Sequence, residues 1–171
     1  VRDGVLDVVP ECWDRCTGGG VMSRPLGIQG LEGFFLSPDL AQHRPELLDW
    51  SASGAGRALL SSSVDLLGPP AVFITAHAAA AELAATLGVN VTTPADLDQH
   101  VQLVLEAMKL GRASAFYMWE PYQITATHNL QRVVLPPRTP ATAIFHDPVE
   151  LQLVWGTGIQ PPTAGAVLGG A

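Results

Sequence analysis

The fold class is decided by Ala113-Ser-Ala-Phe-Tyr-Met-Trp-Glu-Pro-Tyr122, a run of small, apolar and aromatic residues that ends at a proline. A short apolar run bounded by turn residues is typical of a buried strand, so we predict a strand over residues 115–118. Trp119 stands at the carboxyl end of this strand, beside the Pro121 turn. Open α/β sheets bind ligands outside the carboxyl ends of their strands, and we expect the Trp119 ring to point there.

Strand and helix patterns alternate on either side of this run. A short irregular or helical segment precedes a second strand that begins near Leu130. Upstream, an alanine-rich helix is predicted over residues 76–87 and is closed by Gly88, and another helix begins after Thr93 and Pro94. Further strands are predicted at the short apolar runs of residues 5–9, 26–36 and 71–74. This alternation predicts an α/β fold with a largely parallel sheet.

The composition limits the classes of function. The chain has 171 residues, of which 47% are hydrophobic and 15% are charged, and this suits one domain or two small lobes with a buried core. It carries 16 acidic against 9 basic residues, for a net charge of −7. Nucleic-acid-binding domains usually carry a basic patch, so we expect no nucleic-acid partner. No apolar run approaches the length of about 20 residues that a membrane-spanning helix needs.

Two short features bear on the cellular compartment. Cys12 and Cys16 either form a small-loop disulfide or stay free. The triplet Asn90-Val-Thr92 matches the N-glycosylation sequon. A disulfide would suit an oxidising compartment, outside the cytoplasm, where such bonds persist, and the sequon favours an extracellular site. Because the chain opens on Val1 without an initiator methionine, we expect it to be a piece of a longer polypeptide, and the lack of a visible signal peptide then says nothing about the parent protein.

Five blocks of sequence occur in an order that resembles one known family. They are Asp7-Val-Val-Pro-Glu-Cys-Trp13, Gly33-Phe-Phe-Leu36, Gly68-Pro-Pro70, Phe116-Tyr-Met-Trp-Glu-Pro-Tyr122 and Leu130 through Pro136. In this order they resemble the glycine betaine/proline betaine substrate-binding proteins of ABC importers, which have bilobed type II periplasmic-binding folds. The resemblance covers roughly residues 3–137, and the block around Trp119 is fairly specific.

The resemblance implies a partial copy of that fold: an α/β, periplasmic-binding-protein-like type II chain with an incomplete first lobe. Residues 1–35 then form a partial first lobe and hinge, residues 36–135 form a second α/β lobe, and residues 136–171 form a linker and tail rich in proline and glycine. The resemblance implies that the given sequence begins at about the third strand of the family's first lobe, and we expect the family's opening βαβ unit to be absent from it. The segment after Pro140 also departs from the family's closing helices.

The family binds quaternary ammonium groups in a box of aromatic rings, and the resemblance implies a similar aromatic cage here. Trp13 and Trp119 match positions that supply box walls, and Tyr122 is expected to line the same cleft. Where the family has a third tryptophan, this chain has Phe73, whose ring is a weaker site for a cation. Glu11, beside Trp13, is expected to add a negative field to the site.

Two functions stay open from the sequence. The first is an extracellular module that binds a quaternary ammonium compound, such as a betaine or choline, within a larger transport or receptor protein. Its partners are the amine and either other segments of the parent protein or a membrane protein. The second is a degenerate copy of the fold that binds no ligand and acts as a structural or interaction domain in an extracellular assembly. The phenylalanine at position 73 and the prolines of the tail favour the second function.

Enzyme chemistry is not indicated by any motif. The five histidines show no His-x-x-x-His spacing for a metal. Ser61-Ser-Ser63 lacks the glycines of a nucleophile elbow, and Thr17-Gly-Gly-Gly20 lacks the lysine of a phosphate-binding loop. We therefore expect neither an enzyme activity nor a metal or cofactor.

Overall fold

The computed structural model describes residues 8–12, 21–51, 56, 60 and 64–156 of the chain. Contacts divide the chain into two compact units. One unit takes in the described residues of Val1–Gly30 and Val149–Ala171, and the other is Leu31–Pro148. The division falls within the long strand Val21–Leu36, which contributes to both units.

The described residues of the first unit form three strands of an antiparallel sheet. These are β1 (Val8–Cys12), β2 (Val21–Leu36) and β7 (Val149–Gly156). β7 lies between the other two and pairs with β1 on one side and with the first part of β2 on the other. The register with β2 shifts at a point where Gly27 has a φ of +72°. Glycine adopts this left-handed conformation without steric cost, so it suits an irregularity in the strand.

The second unit is built on a mixed sheet. The latter part of β2 pairs antiparallel with β5 (Ser114–Glu120), which pairs parallel with β3 (Asp65–Leu67). β3 pairs parallel with β4 (Val91–Thr92), and β6 (Gln131–Arg132) pairs antiparallel with the other edge of β2. The prediction of a largely parallel sheet is wrong, because β2 runs antiparallel to both of its neighbours here. The alternation of elements along a sequence does not reveal which distant strands become neighbours.

The described helices connect these strands. Their ranges are α1 (Pro38–His43), α2 (Ile74–Leu87), α3 (Leu97–Lys109) and α4 (Gln123–Thr127), with short 3-10 turns at Pro45–Leu48 and Ala143–Phe145. The side chains of Ser37 and Asp96 cap α1 and α3 by accepting a backbone N–H, and Gly88 closes α2 in the left-handed conformation. Among the described helices, none combines the length and the apolar character that crossing a bilayer requires.

Several elements differ from those predicted. β1 continues to Cys12 and β2 begins at Val21, beyond the predicted ranges of residues 5–9 and 26–36. The strand predicted over residues 71–74 is absent, and the backbone there turns and enters α2. Pro69 and Pro70 lack the N–H groups that a strand ladder needs, so the strand is the earlier segment β3. α3 begins at Leu97 rather than after Thr93, because Asp96 supplies the capping side chain.

Helices cover both faces of the sheet in the second unit. α2 packs on the face that buries the alternate strand residues Phe34, Leu36, Leu66, Ala115 and Tyr117. α3 packs on the face that buries Phe35, Leu67, Phe116 and Met118. Side chains of a strand alternate between the two faces, and both faces here are apolar and covered. The second unit therefore has three layers, with the sheet between two layers of helices, as expected for an α/β fold.

Candidate ligand-binding site

The strand order creates a switch point at the carboxyl ends of β3 and β5. From β3 the chain passes through α2 to β4 on one side, and from β4 it passes through α3 to β5 on the other side of β3. Accordingly, α2 and α3 lie on opposite faces of the sheet. Ligands of open α/β sheets bind in the crevice at such a point. The ends of β3 and β5 are therefore where this fold is expected to bind a ligand.

Three aromatic rings predicted for the site meet at this point. Phe73 follows β3, Trp119 lies at the end of β5, and Tyr122 lies just beyond it. The ring centroids of Phe73 and Trp119 are 6.0 Å apart, and those of Trp119 and Tyr122 are 4.3 Å apart. We call this group of Phe73, Trp119 and Tyr122 the aromatic edge. Its rings touch one another rather than standing across a gap, and all three are partly exposed.

The turn after β3 sets the position of Phe73. The Gly68 N–H donates to the Thr92 carbonyl at 2.8 Å, which directs the chain toward β4. A Cβ on Gly68 would lie 2.5 Å from Cγ2 of Val91, so only glycine fits this close approach. The Phe73 N–H then donates to the Pro70 carbonyl at 2.9 Å, immediately before α2.

Thr125 holds the turn that carries the other two rings. Its hydroxyl donates to the Tyr122 carbonyl at 2.7 Å, with the Trp119 carbonyl 3.2 Å away. Thr125 is buried in the short helix α4, and the Glu120–Pro121 peptide bond within the turn is cis. The tilted pair of rings, Trp119 and Tyr122, is thus carried by a compact turn in which the buried Thr125 hydroxyl anchors the backbone.

A carboxylate lies beside the rings. Glu32 on β2 is directly opposite Trp119 on β5, so the two side chains leave the sheet on the same face. The Tyr117 hydroxyl, on that face as well, donates to the Glu32 carboxylate at 2.5 Å. Burial raises the pKa of the Tyr117 hydroxyl, and the charge of Glu32 raises it further. Tyr117 therefore stays a neutral donor to the Glu32 side chain, next to Trp119.

An arginine lies at the same end of the sheet but on the other face. A Cβ on Gly33 would lie 3.0 Å from both Nε and Nη2 of Arg132, so the guanidinium covers the face opposite to that of Glu32. Nη2 of Arg132 donates to the backbone carbonyls of Glu32 and Phe145, both at 2.8 Å. Burial lowers the pKa of Arg132, and the Glu120 carboxylate raises it. Arg132 thus ties backbone segments together.

His100 on α3 is completely buried where β3 and β5 separate. The pairing of the two strands ends at Leu67 and Phe116, and the next carbonyl of β5, that of Tyr117, accepts from Nε2 of His100 at 2.8 Å. Nδ1 of His100 has no hydrogen-bond partner among the described residues. Burial lowers the pKa of His100, while the backbone of Tyr117 and of Gly68 acts to raise it. A neutral imidazole therefore donates to a β5 carbonyl that has no partner on β3, because the pairing of the two strands has ended.

The structure describes only some of the other residues predicted for the site. Trp13 and Cys16 lie outside the described residues. Glu11 and Cys12 belong to β1, but their side chains lie outside the described part of the chain. Asn90 is exposed in the loop before β4. The second tryptophan wall, the disulfide and the glycan therefore stay predictions.

Sequence reasoning did not assign roles at the site to Glu32, Tyr117 and His100. For Glu32 and Tyr117 the available signal is the period of two residues in a strand. Glu32 precedes Phe34 by two positions and Tyr117 precedes Trp119 by two, so each pair lies on one face of the sheet. The signal for His100 is helical: it shares a buried stripe with Val104 and Ala107 at spacings of four and seven residues.

Comparisons with known proteins identify the fold of this chain. No protein-family model matches the chain, and no curated protein matches it. It is similar to an ABC-transporter choline binding protein in an unliganded semi-closed conformation, with a TM-score of 0.53 and 12% identity over 91% of this chain and 57% of that one. It is also similar to a glycine betaine, L-proline ABC transporter binding protein from Borrelia burgdorferi, with a TM-score of 0.51 and 8% identity over 91% of this chain and 58% of that one.

These two similarities establish the fold class. The chain has the α/β fold of type II periplasmic-binding-protein-like domains, and the sequence prediction of that fold is confirmed. It spans 57–58% of the length of the two solved proteins. At identities of 8–12% the likeness extends to the fold alone.

Proposed function

We propose that this chain is a binding module for a quaternary ammonium compound such as choline or glycine betaine. The observation that carries the proposal is the aromatic edge, in which three rings meet outside the carboxyl ends of β3 and β5. Ligands bind at this position in open α/β sheets. The two similar solved proteins, which bind choline and glycine betaine or proline by their descriptions, support the same ligand chemistry.

Aromatic faces suit this ligand because a quaternary ammonium group donates no hydrogen bonds and is weakly hydrated. The ring quadrupole attracts the cation, and each desolvated contact contributes about 0.5–2 kcal/mol. Trp119 has the most favourable ring type, and Tyr122 and Phe73 contact it on two sides. We therefore infer that Trp119 contributes the largest share of the binding free energy.

The proposal includes a biological setting. We place the module outside the cytoplasm, in an extracellular or periplasmic compartment, as part of a larger transport or receptor protein with a membrane partner. The two similar proteins belong to ABC transporters by their descriptions, which supports that setting. The exposed Asn90 is accessible to glycosylation in such a compartment. The proposed module has no enzyme activity and needs no cofactor.

Calorimetric titration of the chain with choline and with glycine betaine tests this function. The wild type is expected to bind at least one of the two amines saturably. Trp119→Ala is expected to weaken binding about tenfold or more, because a desolvated cation–ring contact of up to ~2 kcal/mol is lost. Trp119→Phe keeps an aromatic ring and is expected to weaken binding less than Trp119→Ala does.

The matched control is Val134→Ala, which truncates an apolar side chain that is 59% exposed and outside the aromatic edge. It is expected to bind as the wild type does. A folded wild type that gives no saturable heat with either amine contradicts the proposal. So does a Trp119→Ala variant that binds with unchanged affinity.

A second candidate function is a structural or interaction domain that binds no small ligand. Two observations favour it. The rings of the aromatic edge contact one another directly, and the neighbours of Phe73 expose apolar surface, with Val72 62% and Ile74 79% exposed. Exposed apolar patches often mark contacts with other proteins. Absence of amine binding by the folded chain would favour this second function.

A further inference from the structure

We propose that His100 is a positioning residue for the aromatic edge, because its imidazole holds the end of β5 at the carbonyl of Tyr117. On this account His100 does not touch the ligand but fixes the strand from which Trp119 projects. This inference rests on the proposed function, since it names the support of the rings that bind the ammonium group.

The end of β5 is the part of the sheet that needs support. On one side, β5 pairs with β2 from Ala115 to Glu120. On the other side, its pairing with β3 ends at Leu67 and Phe116. Trp119 therefore lies beyond the last pair with β3, on a stretch that has a neighbour on one side only among the described strands.

His100 contacts β5 just where β3 ceases to do so. Its Nε2 donates to the Tyr117 carbonyl at 2.8 Å, one residue beyond the last pair of the two strands. Because a carbonyl only accepts, the proton of the neutral imidazole is on Nε2. The His100 ring also contacts the Tyr117 ring, with centroids 5.9 Å apart. One residue thus holds both the backbone and the side chain of Tyr117.

Tyr117 connects His100 to the aromatic edge. Its buried ring has a centroid 6.4 Å from that of Phe73 and 6.1 Å from that of Trp119. Trp119 follows Tyr117 by two residues and lies on the same face of β5. A displacement of the Tyr117 carbonyl would therefore move two of the rings that bind the cation. Binding sites need their side chains held within about 0.5 Å of the productive geometry.

His100 is itself held firmly. It is completely buried in the first turn of α3, and its backbone N–H donates to the Asp96 carbonyl at 3.1 Å. The Asp96 side chain caps that turn by accepting the Gln99 N–H at 2.8 Å. Burial also lowers the pKa of the His100 imidazole, so this donor is neutral and does not repel a cation on the aromatic edge.

Two amide variants of the chain test the inference by calorimetric titration with choline, or with glycine betaine if that amine binds the wild type more tightly. His100→Gln places an amide donor where Nε2 lies, and it is expected to bind within about threefold of the wild type. His100→Asn carries the same amide on a shorter side chain, which ends near the position of Nδ1 and does not reach the Tyr117 carbonyl. It is expected to weaken binding about tenfold, because β5 loses this donor.

A third variant covers the case in which His100→Asn does not fold. His100→Leu keeps most of the side-chain volume in a buried, largely apolar place and removes the donor. It is also expected to bind the amine about tenfold more weakly than the wild type. Urea denaturation of each variant shows that the titrated protein is folded.

Val104→Ala is the matched control for a general loss of stability. Val104 is completely buried on the same stripe of α3, one turn beyond His100. Its truncation leaves a cavity and is expected to lower the free energy of unfolding. The bond to the Tyr117 carbonyl is kept, so amine affinity is expected to stay within about twofold of the wild type.

The indole N–H signal of Trp119 in the unliganded chain gives a readout that needs no ligand. Its NMR position depends on the neighbouring rings, among them that of Tyr117. The signal is expected to keep its position in His100→Gln and in Val104→Ala. It is expected to move in His100→Asn and in His100→Leu, because the end of β5 is no longer held.

The outcomes distinguish this inference from the function on which it rests. Wild-type affinity in His100→Asn and His100→Leu overturns the positioning role while the proposed function stands. An equal loss of affinity in His100→Gln or in Val104→Ala does the same. A folded wild type that binds neither amine overturns the proposed function. In that case an unmoved Trp119 signal in His100→Asn and His100→Leu overturns the positioning role as well, and a moved signal supports it.

Discussion

Replacing Phe34 by alanine is expected to lower the free energy of unfolding by about 4 kcal/mol. Phe34 is completely buried on the face of the sheet that carries Tyr117 and Trp119. Its ring centroid lies 5.5 Å from that of Phe145 and 5.8 Å from that of Trp50. Truncation loses both the transfer free energy of the ring and its packing contacts, because the rigid neighbouring rings fill the cavity poorly.

Urea denaturation monitored by circular dichroism measures this change. Domains of this size have a total stability of about 5–15 kcal/mol, so the loss is a large fraction of it. Leu110→Ala, at a side chain that is 56% exposed, is the matched truncation and is expected to change stability by less than about 0.5 kcal/mol. A loss below about 1.5 kcal/mol in Phe34→Ala would contradict the packing described for this face.

The second large effect is a loss of stability in acid that depends on His100. Burial lowers the pKa of its imidazole in the folded chain, whereas the unfolded chain has the ordinary value of about 6.5. The unfolded state therefore takes up a proton first as the pH falls. The contribution of the neutral imidazole to the free energy of unfolding is fully present above about pH 6.5. Below that pH the contribution falls by up to about 1.4 kcal/mol for each pH unit.

His100→Gln isolates this contribution. The glutamine amide is able to donate to the Tyr117 carbonyl, as Nε2 of His100 does, but it does not titrate. Between pH 7 and pH 5, the stability of the wild type is expected to fall more steeply than that of the variant. His146, whose pKa is also lowered by burial and by Arg132, contributes equally to both proteins. Parallel curves for the two proteins in this range would show that His100 does not titrate as its burial requires.

Several strands and helices are predictable from the sequence because the signals for them lie within the element or next to it. The strand predicted over residues 115–118 is observed as Ser114–Glu120, and the helix predicted over residues 76–87 is observed as Ile74–Leu87. The apolar run of the strand and the glycine at the end of the helix, Gly88, are sufficient signals. The run at residues 71–74 predicts a strand but forms the turn into α2, since four apolar residues have no period that separates a strand from the first turn of a helix.

The site was predicted in part for a related reason. Phe73, Trp119 and Tyr122 came from the resemblance to a family, and they are adjacent in the structure. The roles of Glu32 and His100 depend on long-range pairing: β2 has to lie next to β5, and α3 has to cover the point where β3 ends. A single sequence contains the spacing of such residues along the chain but not their partners across the sheet.

The most direct test of the central claim is to follow the indole N–H signals of the tryptophans by NMR during a titration with choline. The signal of Trp119, assigned with Trp119→Phe, is expected to shift saturably as the cation contacts its ring. Trp50 is an internal reference, because it is completely buried and its indole N–H donates to the Leu47 carbonyl at 2.7 Å. Its signal is expected to stay in place. A titration that leaves the Trp119 signal unmoved, or that moves Trp50 equally, would contradict a quaternary ammonium site at the aromatic edge.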